Sequence, residues 1–259
     1  VAMTGDGVND VLALKCADCS VAMASGSDAA SNAAQIVLLD SDFSKMPEVV
    51  LEGRRVVNNI QTSASLFLVK NIFSILTTVF TLIAANLYPL YPTQLSLLGA
   101  FTIGTPAFVL ALQPNKELIR GDFLVNVILK ALPAGFADFI MLAAISIHGN
   151  ILGMSNEQIS TVAIVILLFI GLAALVRICR PFDGIRILLC LAMAAGIVIC
   201  VLNFKGIFAI TTVNMIMLRM IIMYALIAGV LFCIMCKSVG GWIDYMERHS
   251  KRFRMLLKG

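Results

Sequence analysis

Charged residues are scarce in this sequence: Asp, Glu, Lys and Arg make up only 13% of its 259 residues. A soluble domain carries about 25% charged and about 45–50% apolar residues, whereas here 60% are hydrophobic and the mean hydropathy is +0.96. This composition excludes an ordinary soluble domain and predicts a membrane protein. The apolar excess is uneven, because residues 1–62 are mixed in character and apolar runs dominate from Ser63 onward.

The sequence also lacks the usual features of a chain start. There is no initiator Met, no signal peptide and no linker ahead of the first motif. The first residues, Val1-Ala2-Met3, are typical of the end of a β-strand whose beginning is missing. We therefore expect a fragment of a longer polypeptide, with the N-terminal remainder of that polypeptide as a partner.

Cysteine and histidine clusters suited to a metal are missing as well. Two C-x-x-C pairs occur, Cys16/Cys19 in the mixed segment and Cys233/Cys236 in an apolar run. No second thiol pair or His cluster accompanies the first pair, and the second pair is better explained by helix packing. We expect ordinary reduced cysteines and assign neither pair to a site.

What the sequence has in abundance is long apolar runs. A segment of about 20 residues is needed to cross a hydrocarbon core of about 30 Å, and six stretches approach or exceed that length. The sequence therefore predicts six transmembrane helices within residues 63–236 and a basic tail over residues 237–259. The six stretches are Ser63–Ala85, Leu95–Leu112, Leu124–Ile147, Ile159–Val176, Ile187–Leu202 and Val213–Met235.

Basic residues predict how these helices are oriented. With the N-terminal segment in the cytoplasm, the cytoplasmic turns hold Lys116, Arg120, Arg180 and Arg186, and the outer turns hold only Lys205. This bias explains the net charge of +4, so we do not expect nucleic acid as a partner. We expect a multi-pass plasma-membrane protein with both termini cytoplasmic and lipid as a partner. The basic tail either lies on the anionic leaflet or is simply solvated.

The first 62 residues predict an α/β arrangement. Ser20–Ala24 and Gln35–Leu39 are typical of short buried strands, and Asp28–Ala34 of a helix between them. From Phe43 to Ile60 the pattern becomes helical, and no polar linker separates this helix from the first span. The predicted fold class is therefore mixed: a partial α/β segment that continues mechanically into an all-α bundle of six transmembrane helices.

The motif TGDGVND, residues 4–10, predicts a phosphate and magnesium site. A strand that ends in T-G-D-G places acidic groups at the carboxyl edge of a parallel sheet, where such folds bind ligands. Gly5 and Gly7 allow close approach to phosphate, and Asp6 is placed to hold Mg²⁺, which prefers oxygen ligands. Asn9 and Asp10 follow within reach of the same groups. The spacing does not match an EF-hand.

The stretch TGDGVNDVLALKCADCSVAMASGSDAASNAAQIVLL resembles the hinge motif and the end of the phosphorylation domain of P-type ATPases, members of the haloacid dehalogenase superfamily with a Rossmann-like domain. The similarity covers the whole chain, with six spans corresponding to M5 to M10 of that family. The resemblance implies that Asp6 and Asp10 form the Mg²⁺ site and that Thr4, Gly5 and Asn9 lie at the phosphoryl group. It implies ATP as substrate and Mg²⁺ as cofactor.

Three family motifs are absent from this chain: D-K-T-G-T, which carries the phosphorylated aspartate, T-G-E, and the Lys-rich nucleotide pocket. The chain alone therefore cannot form an aspartyl-phosphate, and we expect the enzyme activity only in the full-length protein. The heavy-metal branch of the family is a poor match, because only two helices follow its phosphorylation domain.

Polar residues inside the first two spans predict a transport path, because such groups are costly in lipid and usually functional. The second span contains FTIGTPAF, where Pro106 removes a backbone donor and Gly104 loosens the helix. An unwound segment with free carbonyls is expected there. The predicted path residues are Lys70, Asn71, Ser74, Thr102 and Gly104.

The cargo is left open between two classes. Calcium pumps of the resembled family carry a Glu where Ser74 stands, and an Asn and an Asp where Gly99 and Ile103 stand. A Ca²⁺ pump of the usual two-site kind is therefore not expected, and an acidic ligand would have to come from a helix outside this chain. A cation remains the first expectation. A lipid or polyamine is the alternative, suggested by Lys70-Asn71. A non-pumping membrane scaffold is the third possibility.

Two charged residues deeper in the spans have no assigned role. Asp138 in the third span and Arg219 in the sixth could pair with Lys70 or with each other, and snorkelling to the interface is an alternative for Arg219.

Overall fold

The computed structural model describes residues 1–84, 88–119 and 121–249, the side chains of Asp244 and of residues 246–249 excepted. The predictions for Arg120 and for the basic residues at 250–259 lie outside the described residues. The chain divides into two compact units, one over Val1–Arg54 and the other from Arg55 onward. They are described separately below as the sheet unit and the helical unit.

The sheet unit is built on three parallel strands in the order β1-β2-β3. Gly5 pairs with Ala22, and Met23 with Leu38, so the carboxyl ends of all three strands lie at one edge. The expected strands and intervening helix are confirmed to within two residues at each end. The elements are β1 (Ala2–Gly5), α1 (Val11–Cys16), β2 (Cys19–Met23), α2 (Asp28–Ala33) and β3 (Ile36–Leu38).

A small core holds the sheet unit together. Leu14 of α1, Ala22 of β2 and Ala30 of α2 are all buried and belong to one cluster. The α2 helix begins where Ser27 accepts a hydrogen bond from the Ala30 N–H at 3.1 Å, which satisfies one of the free amides of its first turn. Small residues on β2 and α2 let the helix lie close to the strand.

Six helical segments among the described residues are long and apolar enough to cross a membrane, and they make up the helical unit. The first, α3, continues unbroken for 39 residues from the sheet unit's last turn, as expected from the missing linker. The most extensive packing joins α6, α7 and α9, and α7 is the most buried of them. The helices are α3 (Met46–Ala84), α4 (Pro92–Gly99), α5 (Thr105–Ala111), α6 (Phe123–Ile151), α7 (Asn156–Ile178), α8 (Gly184–Asn203) and α9 (Met215–His249).

The second span stays helical where the sequence predicted an unwound segment, so that prediction is wrong. A π-helical turn over Ala100–Gly104 joins α4 to α5, and the Thr105 N–H bonds to the Ala100 carbonyl five residues back. Pro106 has no N–H to donate, and the wider turn accommodates this loss while neighbouring amides keep helical partners. The irregularity therefore widens the helix without opening it.

Candidate functional site

The acidic loop at residues 6–10 lies at the carboxyl edge of the sheet, directly after β1. A 3₁₀ turn over Val8–Asp10 leads into α1. The Asp10 carboxylate folds back over the loop and accepts hydrogen bonds through Oδ2 from the Asp6 N–H at 3.2 Å and the Gly7 N–H at 3.1 Å. Asp10 therefore holds the loop in shape from within.

Two glycines allow the loop to close this tightly. A Cβ on Gly5 would stand 2.6 Å from Cβ of Asp10, and a Cβ on Gly26 would stand 2.5 Å from the Asp6 carbonyl oxygen. Both distances are shorter than packed atoms tolerate. The Ser27 N–H donates to the same Asp6 carbonyl at 2.7 Å. The segment between β2 and α2 thus supports the loop from the neighbouring strand.

The side chains predicted to meet ligands remain accessible. Thr4, Asp6 and Asn9 are exposed, whereas Asp10 is half-buried. Within residues 1–84, 88–119 and 121–249, the Asp6 carboxylate has no hydrogen-bond or ion-pair partner. The two carboxylates therefore differ in their environment, because Asp10 accepts hydrogen bonds from backbone amides and Asp6 is exposed to solvent.

The sheet unit by itself does not complete a metal site. Among the described residues, no group of three or more His, Cys, Asp or Glu side chains is placed to hold a metal ion. The donor that is available, the Asp6 carboxylate, is a hard oxygen ligand of the type Mg²⁺ accepts, and Mg²⁺ usually keeps several waters and binds through one or two carboxylates plus phosphate. The residues present fit that mode of binding.

Sequence reasoning missed a second polar segment at the same edge, the turn between β3 and α3. Ser41 has a positive φ of 49° and accepts a hydrogen bond from the Ser25 N–H at 2.8 Å. Asp42 accepts from the Ser44 hydroxyl at 2.7 Å and the Ser44 N–H at 2.9 Å, and these bonds lower the pKa of Asp42. The sequence could have indicated this segment, because it follows β3 and the carboxyl ends of parallel strands meet at one edge of the sheet.

In the helical unit, two of the five predicted path residues come together. Lys70 of α3 and Thr102 of the π turn line one narrow cavity of about 20 Å³. The Thr102 hydroxyl donates to the Leu98 carbonyl at 2.7 Å. The Lys70 Nζ reaches towards α4, where a Cβ on Gly99 would lie 3.7 Å from it. The buried carboxyl group of Asp138 lines the same cavity.

The other predicted path residues are placed differently. Asn71 and Gly104 are exposed on the helical unit, and Ser74 is half-buried. None of the three lines the cavity of Lys70 and Thr102. Asn71 lies on another face of α3 from Lys70, because a helix turns 100° per residue, and the assignment of these three residues to the transport path stays a prediction.

The pairing considered for Arg219 does not occur. Arg219 is exposed on α9, and among the described residues it makes no ion pair with Asp138 or Lys70. An exposed basic residue on a membrane-facing helix fits the snorkelling alternative. Asp138 and Lys70 share a cavity but form no ion pair within 4 Å.

The stretch predicted to transmit motion, Arg54–Ile60, is tied to the turn between α5 and α6. The buried Asn59 side chain donates to the carbonyls of Ala111 at 2.8 Å and Gln113 at 3.0 Å, which end the second span. Asn58 donates to the Glu117 carbonyl at 2.9 Å. Two adjacent amides thus fix the start of the first span to the end of the second.

Comparison with known proteins places these features in context. No family model matches the chain. It is 40% identical over 203 residues to a probable cation-transporting ATPase, exp7, of Streptococcus pneumoniae, which covers 75% of this chain and 26% of that protein. It is 43% identical over 213 residues to the calcium-transporting ATPase CtpE of Mycobacterium bovis, covering 77% and 27%.

A third relative is the calcium-transporting ATPase CtpE of Mycolicibacterium smegmatis, 38% identical over 231 residues, which covers 83% of this chain and 29% of that protein. The chain therefore spans just over a quarter of the length of the curated relatives it matches.

Proposed function

Since the chain belongs to the P-type ATPases, we propose that it is part of a pump that couples Mg²⁺-dependent ATP hydrolysis to cation transport across a membrane. The observation that carries the proposal is the free Asp6 carboxylate, exposed on a loop that Asp10 and Gly26 hold rigidly at a sheet edge. The three strands would form part of a haloacid-dehalogenase-like phosphorylation domain. The aspartate that becomes phosphorylated would lie elsewhere in the full-length protein.

The roles of the loop residues follow from their accessibility. Asp6 would ligate Mg²⁺, whose charge offsets the negative charge of a transferring phosphoryl group. Thr4 and Asn9, both exposed, would donate hydrogen bonds to phosphoryl oxygens beside Gly5. Asp10 would position Asp6 by fixing its backbone amide, with its second oxygen left for water or metal. Positioning of this kind supplies much of the catalysis in phosphoryl transfer.

A divalent cation is the proposed cargo, and Ca²⁺ is the first cation to be tested. Two curated relatives at 38–43% identity bear the name calcium-transporting ATPase. The spans contain oxygen donors in the Lys70–Thr102 cavity, which suit a hard cation. We further propose that both termini face the cytoplasm, because the basic residues of the described turns concentrate on one side.

The test is ATPase activity of the full-length protein in liposomes, measured across cations, lipids and polyamines. We expect stimulation by Ca²⁺ or another divalent cation. Stimulation by a lipid or a polyamine alone would favour the alternative cargo and overturn the cation proposal. Absence of both ATP hydrolysis and a phosphorylated intermediate under all conditions would identify a non-pumping scaffold.

A further inference from the structure

Asp138 is the only carboxylate in the interior of the six described spans. The other acidic residues of the span helices lie towards helix ends: Glu48 and Glu52 near the start of α3, Glu157 at the second position of α7, and Asp244 and Glu247 near the end of α9. Asp138 is the 16th of 29 residues in α6, near the middle of the helix, and only 3% of its surface is exposed. Asp138 is therefore the one carboxylate of the described spans that lies near the middle of its helix.

Among the described residues, nothing pairs with the Asp138 carboxyl group to offset its burial. Its Oδ1 atom is fully buried and makes no hydrogen bond with any described residue. Transfer of an unpaired carboxylate out of water is unfavourable by several kcal/mol or more. Ionisable residues in transmembrane helices are for this reason almost always functional and face a cavity. The unsatisfied oxygen indicates a ligand that binds there.

The cavity around Asp138 has the size and the donors for one small cation. About 20 Å³ is room for about one water molecule. The Thr102 hydroxyl gives its hydrogen to the Leu98 carbonyl, so its oxygen lone pairs remain available to a cation. Gly171 brings α7 against Thr102, since a Cβ there would stand 2.6 Å from the threonine methyl. Three helical segments thus close around the carboxylate.

The π turn places Thr102 in the wall of the cavity, opposite the carboxyl group of α6. The Thr102 hydroxyl and the Asp138 carboxylate are oxygen ligands, the type that hard divalent cations select.

We propose that Asp138 is the acidic ligand of the transported cation, bound between α3, the π turn, α6 and α7. The inference rests on the proposed function and names its site. It replaces the expectation that an acidic ligand must come from outside this chain. The Lys70 ammonium lines the same cavity without forming an ion pair to Asp138, so it competes with the cation for the carboxylate.

The experiment is Ca²⁺ binding to the purified full-length protein in the absence of ATP, by equilibrium dialysis with labelled Ca²⁺. Asp138→Asn should weaken binding by about 10-fold or more, because loss of groups that merely support a metal ligand already costs 10- to 100-fold. Asp138→Glu should fall between the two. Lys70→Met removes the competing ammonium and should tighten binding. Glu117→Gln, which removes an exposed carboxylate outside the spans, is the matched control and should bind as wild type.

The outcomes separate this proposal from the proposed function. Wild-type binding that persists unchanged in Asp138→Asn overturns the Asp138 site and leaves the cation pump standing. No binding of Ca²⁺, Mg²⁺ or Mn²⁺ by the wild type overturns both. A purely structural Asp138–Lys70 pair would make Lys70→Met as damaging as Asp138→Asn, which also overturns the proposal. If Asp138→Asn does not fold, Asp138→Glu decides: weakened Ca²⁺ binding by the folded variant supports the site, and unchanged binding rejects it.

Discussion

The sheet unit and the helical unit hold their aspartates in opposite ways. In the sheet unit, Asp10 accepts two backbone N–H groups at 3.1 and 3.2 Å, and the loop around it leaves Asp6 free at the surface. In the helical unit, Asp138 is buried with an oxygen that no described group satisfies. An aspartate carboxylate therefore has hydrogen-bond partners in the sheet unit and an oxygen without a described partner in the helical unit.

The difference follows from where backbone amides are available. A loop after a β-strand has amides that no ladder uses, so a nearby carboxylate can bind them. In a transmembrane helix every interior amide is already bonded within the helix, and a carboxylate must find a side chain, a water or a ligand. A polar group in the helical unit is therefore a stronger indication of a binding site than one in the sheet unit.

The largest effect is expected at the free carboxylate of the sheet unit. Asp6→Asn in the full-length protein should lower phosphoenzyme formation from ATP by about 100-fold or more, because a neutral amide cannot offset metal charge as a carboxylate does. The measurement is incorporation of labelled phosphate from ATP. Asp28→Asn, an exposed aspartate in the first turn of α2, is the control and should label normally. Unimpaired labelling of Asp6→Asn would remove it from the metal role.

The second test challenges the claim that the loop is held from within. Gly5→Ala places a Cβ 2.6 Å from Cβ of Asp10, an atom that cannot rotate away, so the loop must shift. We expect a loss of about 2–3 kcal/mol in the free energy of unfolding, within the range for overpacking. Gly7→Ala, whose Cβ would meet Asp10 at an ordinary 3.5 Å, should cost far less. Equal midpoints in thermal unfolding for the two variants would contradict the geometry.

The corresponding test in the helical unit uses its own glycine pair. Gly171→Ala should push against Thr102 and destabilise the protein by about 1–2 kcal/mol. Gly229→Ala in α9 meets nothing within 4 Å and should be neutral or slightly stabilising, because alanine favours a helix. Thermal unfolding in detergent compares them. A destabilised Gly229→Ala beside an unaffected Gly171→Ala would refute the packing around the cavity.

The smallest effect concerns thiol reactivity in the two units. Burial, with the neighbouring Cys190 thiol, raises the pKa of Cys179 to about 12. A raised pKa keeps the thiol protonated across neutral pH, and only the thiolate is reactive. Maleimide should therefore label Cys16, which is exposed, and leave Cys179 unlabelled from pH 7 to 9. Single-cysteine variants of the full-length protein provide the comparison, and equal labelling rates would show that Cys179 is accessible.

Much of the local structure could be predicted from the sequence. The strands, the six spans and the unbroken helix from Met46 follow from short-range patterns, because apolar period and length act over neighbouring residues. The π turn was the clearest error. Gly104 and Pro106 were expected to unwind the helix, whereas the structure has a π-helical turn over Ala100–Gly104 that keeps the second span helical. Gly and Pro within a span predict that the helix is irregular there, but they do not predict whether it unwinds or widens into a π turn.

The two candidate sites differ in the same way, because one could be predicted from the sequence and the other needed the tertiary structure. The motif at residues 4–10 was recognisable because all its members are adjacent in the chain. The sequence could not predict that Lys70 and Thr102 share a cavity with Asp138, or that Asn71 lies outside this cavity. Helical period shows which residues share a face, but not which face of another helix it meets.

By itself, the amino-acid sequence determined that this protein lies in a membrane, how many times it can cross, and where its acidic loop stands. These properties depend on composition and on contacts between near neighbours. Only the tertiary structure decided that Asp10 is satisfied by amides while Asp138 is not, and that Asp138 shares a cavity with Lys70. Burial and hydrogen bonding depend on groups far apart in the chain, and folding alone brings those groups together.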